Sequence, residues 1–523
     1  MEVRLYCTVV FLVLVAQWQC QAVNCGVKIR LTDKGIRFIG AIASKQIEYI
    51  VRNLKIKDIE GNNGGLYYKL RNTEVKSAKA PKLNISLSGS ESGGGEITVV
   101  ASDLAVNLAT QYDASYRLLN GSIQFPISGY TQAQLDQIQI VLKLSLSSDY
   151  EDLYQPVIKT LGCNVNIKTF NVVFNGDFEW LLNLMRFLFS DYIKTTIQEQ
   201  ICRYITKAID VNAANKTKNI QFYSVIADSF VIDYGYTSKI ELNKDYMEAR
   251  HSGDVYWKLD KKPSPYVPSE LPEFQHDNSS MVYFLMSDYT PKTLAYTAQS
   301  QDYLQYTLTR DKILPGLQDL NRDRYLCNPR SSRFSSCLTQ DTLDDYLRTS
   351  CPDKQCVGCV IKEIEQRYPN TDVAVAIRSY QVPDIVLTAE GLAVTLYGSL
   401  NLDVKTNDTV ARVLNIKMVL NLNGTSYVEG NRLAAKIQQY SYQIKNLTSI
   451  ILQTNVTQTS EFVSTLLDLF LIPQVKRLAT FGLPLFNIEG TKLERSNLTH
   501  LNGSILVSTD VSYKEEDYLN FFP

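Results

Sequence analysis

Between Cys163 and Cys202 lies a stretch, FEWLLNLMRFLF at residues 178–189, that is apolar on every side of a helix. Trp180, Leu181, Leu182, Leu184, Met185, Phe187, Leu188 and Phe189 spread around the 3.6-residue repeat, so no face is left for water. Such a helix must be wrapped by protein or must touch something greasy. The pattern predicts a helix from Asp177 to about Ile209, which at 1.5 Å per residue is roughly 50 Å long. Almost no catalytic residue type accompanies it, which points to handling of apolar material rather than to chemistry.

Met1–Ala22 reads as a secretory signal peptide: Arg4 gives the charge, Val9–Val15 the apolar core and Cys20-Gln21-Ala22 the cleavage site. Nothing later reaches the ~18 uninterrupted apolar residues of a spanning helix. Leu466–Ile472 is interrupted by Asp468 and stopped by Pro473, and no hydrophobic tail suggests a lipid anchor. A secreted, extracellular protein of two or more domains is expected.

The net charge of −1 gives no global field for nucleic acid or anionic membranes. Lys28–Lys82 nevertheless holds thirteen Lys/Arg against five Asp/Glu, a local +8 that is either a solvated face or an anionic-lipid contact. Ten N-x-S/T sequons stand at Asn84, Asn120, Asn215, Asn278, Asn407, Asn423, Asn446, Asn455, Asn497 and Asn502, in both halves, and mark candidate glycosylated surface.

Eight cysteines follow the leader, an even number suited to an oxidising compartment. Cys163 and Cys202 stand apart and bracket the greasy stretch, making them the natural pair. Cys327, Cys337, Cys351, Cys356 and Cys359 cluster; five is odd, so either Cys25 joins them or one thiol is left over. Cys356-x-x-Cys359 could also hold zinc, but no His lies nearby.

The first segment, Leu31–Leu54, reads as an amphipathic helix capped by Thr32 or Asp33, with Ile36, Ile39, Ala43, Ile47, Ile50 and Leu54 at spacings of three and four. Long period-two segments follow, including Ile97–Val106 and Ile138–Leu146, broken by Gly93-Gly94-Gly95 and Asn120-Gly121; Cys163 is expected to begin another strand. Four prolines in residues 260–272 exclude helix and sheet interior and predict a stiff extended linker. Beyond it come strands, a helix over about Ser460–Thr480 carrying Phe462, Leu466, Leu469, Phe470 and Leu478, and closing strands at Ser504–Tyr513. Two similar halves is the economical reading.

His251, His276 and His500 lie outside metal-ligand spacing of one another and of cysteine, and there is no H-E-x-x-H. Gly89-Ser-Glu-Ser-Gly93 puts Glu91 where a nucleophile elbow needs serine, and no phosphate-binding glycine loop occurs. We expect no enzyme, no cofactor, no metal and no nucleic-acid partner.

Several segments resemble the family of bactericidal/permeability-increasing protein, lipopolysaccharide-binding protein and the cholesteryl ester and phospholipid transfer proteins. They are Cys25–Gly35 (CGVKIRLTDKG), the Cys163…Cys202 pair, Asp254–Lys258 (DVYWK) with the proline seam, and His276–Tyr289 (HDNSSMVYFLMSDY). Leu308–Pro315 (LTRDKILP), Ile472–Val475 (IPQV) and Gly482-Leu-Pro484 extend it in order along the chain. The resemblance implies an α+β boomerang of two pseudosymmetric barrels, each a strongly twisted antiparallel sheet around a long helix, joined by a central sheet and the proline linker.

The limits read as signal 1–22, N-terminal barrel 23–259, linker 260–272 and C-terminal barrel 273–523, with a Cys-rich insert at 317–367. Each barrel would hold phospholipid acyl chains in an apolar slot. Ile36, Ile39, Ile50, Leu54, Leu181, Leu184, Met185 and Leu188 would line the first slot, and Phe462, Leu466, Leu469 and Phe470 the second. Burying a sixteen-carbon chain at ~0.8 kcal/mol per CH₂ gives roughly 12 kcal/mol before losses.

Three departures from the family follow. Ala101–Ser122 has one Arg, Arg117, beside Asp103 and Asp113 where the endotoxin-binding members carry a dense basic cluster; the excess around Lys69–Lys82 only partly substitutes. The insert is about thirty residues longer than the family's and its docking partner, if it has one, is unknown. The tail Lys514–Pro523 lacks the final amphipathic helix of the cholesteryl ester member, so neutral-lipid exchange is not expected. The reading is a lipid-binding or lipid-transfer glycoprotein whose partners are phospholipid and, transiently, a membrane or lipoprotein surface. The alternative is an innate-immunity protein that binds lipopolysaccharide or another bacterial envelope lipid.

Overall fold

The computed structural model describes residues 25–63, 66–90, 94–118, 123–149, 155–176, 194–213, 221–275, 277–310, 346–350, 356–406, 409–451, 456–486 and 491–513. The leader, most of the Cys-rich insert and the greasy stretch at 178–189 lie outside them.

Strand β1 (Val27–Thr32) alternates: Val27, Ile29 and Leu31 join one hydrophobic cluster, while Lys28 and Arg30 occupy the opposite face. Helix α1 (Asp33–Arg52) starts where Thr32 caps it, the threonine Oγ1 accepting the Gly35 N–H at 3.4 Å; such a cap is worth about 1 kcal/mol. Its buried residues are Gly35, Ile36, Gly40, Gln46 and Val51. The inward stripe is thus turned from the expected one, because Gly40 faces Leu83 and Ile85 of the next sheet. Ile36 is inside, whereas Ile39 is 47 % exposed.

Six strands follow: β2 (Ile59–Asn63), β3 (Leu66–Lys79), β4 (Lys82–Gly89), β5 (Gly95–Leu118), β6 (Ile123–Asp149) and β7 (Gln155–Gly176). They form an antiparallel sheet in the order β2-β3-β5-β6-β7, with β4 also on β5. Strands this long must bend to wrap a helix, and they do so at bulges. Register shifts flank Leu104 on β5, beside Asp103 at φ 63°, and interrupt the β3 pairing near Asn72 at φ 55°. Cys163 lies in the middle of β7 rather than at a strand's start, because the period-two pattern continues on both sides of it. Residues 194–207 form helix α2, which runs on into a π-helical turn at Ala208–Ala213.

The next strands, β8 (Tyr223–Ile226), β9 (Phe230–Asp233), β10 (Glu241–Asn243), β11 (Tyr246–His251) and β12 (Val255–Trp257), are short. Residues 261–275, the proline segment and its flank, take no helix or strand. Strand β13 (Val282–Ser287) and helix α3 (Tyr289–Ser300) then repeat the β1–α1 pair.

β14 (Gln305–Leu308) precedes the insert, which closes with two short helices, α4 (Val357–Val360) and α5 (Lys362–Arg367). After them come β15 (Asp372–Ser379), β16 (Asp384–Thr388), β17 (Gly391–Lys405), β18 (Val410–Glu429) and β19 (Arg432–Ser449). Helix α6 (Val456–Leu466), a π turn (Leu467–Leu471) and helix α7 (Ile472–Phe481) pack on them, and β20 (Leu483–Pro484), β21 (Thr491–Leu501) and β22 (Ser504–Tyr513) close the chain. The sheet order β14-β15-β17-β18-β19, with β16 on β17, repeats the first sheet, and β20 adds a seventh strand beside β19.

A third sheet joins the halves in the order β10-β11-β1-β13-β22-β21. The equivalent strands β1 and β13 lie antiparallel at its centre, Val27 opposite Met286 and Leu31 opposite Val282. The outer face of β1 holds a buried charge cluster. Arg30 gives Glu248 two hydrogen bonds, at 2.9 and 2.6 Å, and lies 3.7 Å from the Tyr246 ring centroid and 4.6 Å from that of Phe274. Lys28 bonds the Pro272 carbonyl at 3.4 Å and Glu273 at 3.0 Å. Cations and ring stacking therefore fasten the end of the proline segment to the sheet.

Candidate functional site

Each long sheet encloses an apolar pocket against its helix. The N-terminal pocket is a small cavity of about 20 Å³. Ile59, Leu70, Leu108, Ala133, Phe170, Val172 and Phe174 from the strands, Ile56 from the segment before the sheet, and Ile197 of α2 line it. Three threonines cross its wall in a row, one from each of β3, β5 and β6. The hydroxyls of Thr73 and Thr110 are 2.9 Å apart, that of Thr110 bonds the Arg71 carbonyl, and that of Thr131 bonds the Val173 carbonyl. With their hydrogen bonds made to backbone carbonyls and to one another, these hydroxyls leave the wall effectively apolar.

The C-terminal pocket is a cavity of about 30 Å³ between β15, β17 and β18 on one side and the α6–π turn on the other. Ile377, Leu396, Leu400, Met418, Leu420, Leu466, Leu467 and Leu471 line it. Neither lining contains a charged residue.

Of the residues expected to line the first slot, Ile36 packs with Leu87, Leu146, Ile240 and Leu242, toward the central sheet and away from the pocket. Ile39 belongs to no buried cluster, and Ile50 and Leu54 are half-buried. Leu181, Leu184, Met185 and Leu188 lie outside the described residues. In the second half Phe462, Leu466 and Phe470 are all at 2 % exposure or less and belong to one cluster, and Leu466 also lines the pocket. The side chain of Leu469 lies outside the described residues. Leu478 is 62 % exposed, on the solvent side of α7.

Most pocket residues come from strands rather than from the apolar helices. Their signal is the period-two alternation of β5, where Leu104, Val106, Leu108, Thr110, Tyr112 and Ala114 all turn inward.

Cys163 and Cys202 form a disulfide that ties α2 to the middle of β7 across 39 residues, with the Cα atoms 5.7 Å apart. Cys25 is a buried thiol, so the alternative in which it pairs with the distal cluster does not hold. It packs against Leu271 and Leu285, and burial raises its pKa above the ordinary thiol value. Cys356 is disulfide-bonded. Cys327, Cys337 and Cys351 lie outside the described residues.

The basic excess of residues 28–82 is largely absorbed locally. At least nine of its thirteen cations stand in ion pairs among the described residues: Lys28 and Arg30 with Glu248, Lys34 with Asp510, Arg37 with Asp33, Arg52 with Glu48, Lys69 with Asp58 and Glu60, Arg71 with Asp113, Lys76 with Glu74, and Lys82 with Asp103. Lys55, Lys57 and Lys79 make no ion pair among the described residues. The sequon residues Asn84, Asn278, Asn423, Asn446, Asn497 and Asn502 are exposed; Asn120, Asn215, Asn407 and Asn455 lie outside the described residues.

Two family models account for most of the chain. The N-terminal domain model of the LBP / BPI / CETP family matches residues 35–212, and its C-terminal domain model matches 224–327 and 337–513. The chain belongs to this family. Bactericidal permeability-increasing protein of Sebastes schlegelii is 20 % identical over 502 residues, covering 94 % of this chain and 96 % of that protein. Mouse phospholipid transfer protein is 19 % identical over 507 residues, covering 96 % and 93 %. Human lipopolysaccharide-binding protein is 23 % identical over 300 residues, covering 56 % of this chain and 59 % of that protein.

A crystal structure of lipopolysaccharide-binding protein covers 94 % of the chain at TM-score 0.58 and 17 % identity, and all of that structure is matched. The fold is therefore the family's: two pseudosymmetric twisted sheets, each with its helix, on a shared central sheet. The C-terminal family model begins at residue 224, ahead of the proline segment, and takes in β9 to β12 and most of β8. No helix among the described residues is long and apolar enough to cross a membrane.

Proposed function

We propose that the protein is a secreted glycoprotein that binds or transfers lipid, holding phospholipid acyl chains in its two pockets. The observation that carries this reading is the repetition of one apolar pocket, between sheet and helix, in two sheets that share one strand order apart from the added β20. The linings offer an acyl chain dispersion contacts and present it with no charge, at a gain of ~0.8 kcal/mol per buried CH₂. The relatives' names, which include lipopolysaccharide binding and phospholipid transfer, agree with a lipid ligand.

Secretion rests on the leader at 1–22 and on the sequons, and the domain limits on the proline segment at 260–272. Leu181, Leu184, Met185 and Leu188 belong to the first slot in this reading, and a membrane or lipoprotein surface is the transient partner. Pairing of the basic segment within the fold favours slot occupancy over attachment to anionic envelope lipid through broad surface charge.

The test is native mass spectrometry of the protein secreted from cultured cells, with co-purifying lipids identified after extraction. We expect phospholipid at up to one molecule per pocket, reduced by Ile197→Trp in the first and Leu466→Trp in the second. A lipid-free protein that takes up no phospholipid from vesicles would defeat the proposal.

A further inference from the structure

The helix of the C-terminal half meets its pocket through one irregular stretch. Of α6, the π turn and α7, only Leu466, Leu467 and Leu471 reach the lining, so the helix contributes its π turn and the residue before it. The sequence explains why the helix swells there. Pro473 carries no N–H to offer the carbonyl of Leu469, four residues earlier, and its ring crowds that oxygen. An i→i+5 turn ahead of the proline relieves the crowding, and such turns are points at which a helix bends.

Two tyrosines of β19 tie this helix to the sheet. The Tyr442 hydroxyl donates to the Ser460 carbonyl of α6 at 3.0 Å, and the Tyr440 hydroxyl donates to Asp468, inside the π turn. Burial first, and the Asp468 carboxylate second, push the Tyr440 pKa up, so the hydroxyl stays protonated and remains the donor. β20 pairs only with Arg432 and Leu433, so beyond them the second edge of β19 meets no strand among the described residues. Helix and sheet are held together along this edge by side chains rather than by a backbone ladder.

The pocket itself is shut. About 30 Å³ admits roughly two water-sized groups, not an acyl chain, so loading requires the helix to move off the sheet. In the N-terminal half the π turn, Ala208–Ala213, follows the Cys202 staple and supplies none of the lining.

We propose that the C-terminal pocket opens at its π turn and that the Tyr440–Asp468 contact is the latch that keeps it closed. This rests on the acyl-chain reading above. A chain seated among Leu467, Leu471 and Met418 displaces the turn, so the loaded pocket cannot keep the latch. Weakening the contact therefore raises the fraction of open, binding-competent protein, and with it both uptake and affinity. Lipid leaves from a pocket already unlatched, so release is untouched.

The experiment follows uptake of acyl-labelled phosphatidylcholine from phosphatidylcholine vesicles by the secreted full-length protein, then its release to unlabelled vesicles. All variants carry Ile197→Trp, which obstructs the N-terminal pocket, and wild type is run beside them. Tyr440→Phe, which deletes the latch hydroxyl alone, should take up lipid about ten-fold faster, the worth of one hydrogen bond to a charged group, with release unchanged. Asp468→Asn keeps an acceptor oxygen without the charge and should give a smaller acceleration. Tyr442→Phe removes a hydrogen bond to α6 outside the π turn and should change neither rate. Pro473→Ala returns the missing N–H, favours continuous α-helix and should slow uptake.

Unchanged or slower uptake by Tyr440→Phe, or equal acceleration by Tyr442→Phe, overturns the latch and leaves the acyl-chain reading standing. Were Tyr440→Phe not secreted, absence of acceleration in Asp468→Asn would overturn it alone. Pro473→Ala at the parent's rate overturns the π turn as the hinge. Should Ile197→Trp take up no lipid while wild type does, the C-terminal pocket does not load and the latch falls with it. Uptake by neither defeats the acyl-chain reading and the latch together.

Discussion

The two halves share a topology but hold their helices differently. In the N-terminal half α2 is fastened covalently, by Cys163–Cys202, and its inward residues Ile197 and Ile201 keep slight exposure, with Ile205 half-buried. In the C-terminal half no disulfide reaches α6 among the described residues; Phe462, Val463, Leu466, Leu467 and Phe470 are instead almost completely enclosed. The Tyr442 hydroxyl adds a hydrogen bond to the Ser460 carbonyl at 3.0 Å. One fold thus reaches the same arrangement through a restricted unfolded chain in one half and through burial in the other. Where the helix is stapled, its packing can stay looser.

The sharpest way to break this comparison is Phe462→Ala. Removing a fully enclosed ring should cost about 3–5 kcal/mol, read as loss of stability in urea. Ile197→Ala, on the stapled helix beside the pocket, should cost less. Equal losses would show that the two helices are held alike.

Next in size is Cys163→Ser/Cys202→Ser. Opening a loop of 39 residues should lower stability by about 4 kcal/mol in the chain-entropy model. The loss should fall on protection of the N-terminal sheet's amides in hydrogen exchange, with the C-terminal sheet spared. Uniform loss across both sheets would mean that the central sheet couples them into one cooperative unit.

The smallest effect concerns the seam between the halves. His251 of β11 lies against Tyr234, Tyr236 and Phe486, the last contributed by the C-terminal half, and its Nδ1 is 2.7 Å from the Tyr234 carbonyl. Burial pushes its pKa down from 6.5 to about 4. Between those values the unfolded chain takes up a proton that the folded one refuses. Stability is therefore full above pH 6.5 and falls by about 3 kcal/mol as pH drops toward 4. His251→Phe should flatten that part of the pH profile, measured as melting temperature against pH. An unchanged slope would locate the acid sensitivity elsewhere.

Much of the fold was legible because period and punctuation are local. The threonine before Asp33, the alternation at Ile97–Val106 and Ile138–Leu146, the glycine break before β5 and the four prolines each constrain the backbone within a few residues. The isolated pair Cys163 and Cys202 was legible by elimination. The stripe of α1 was misjudged by a fraction of a turn, since spacings of three and four fit several stripes and only the approach of β4 to Gly40 selects one. The basic segment looked like a patch because charge was counted along the chain. Its partners Asp103, Asp113, Glu248 and Asp510 lie far away in sequence and arrive only through strand pairing.

The sequence by itself determined the elements, the repetition of two halves and the apolar character of their interiors, because these follow from residue type and spacing over short range. Tertiary structure alone decided which residues enclose each pocket and which cations find partners distant in sequence. A pocket is the space left between a curved sheet and a helix. Its lining therefore depends on bulges, register and crossing, which join residues as distant as Ile56 and Ile197 that no local pattern connects.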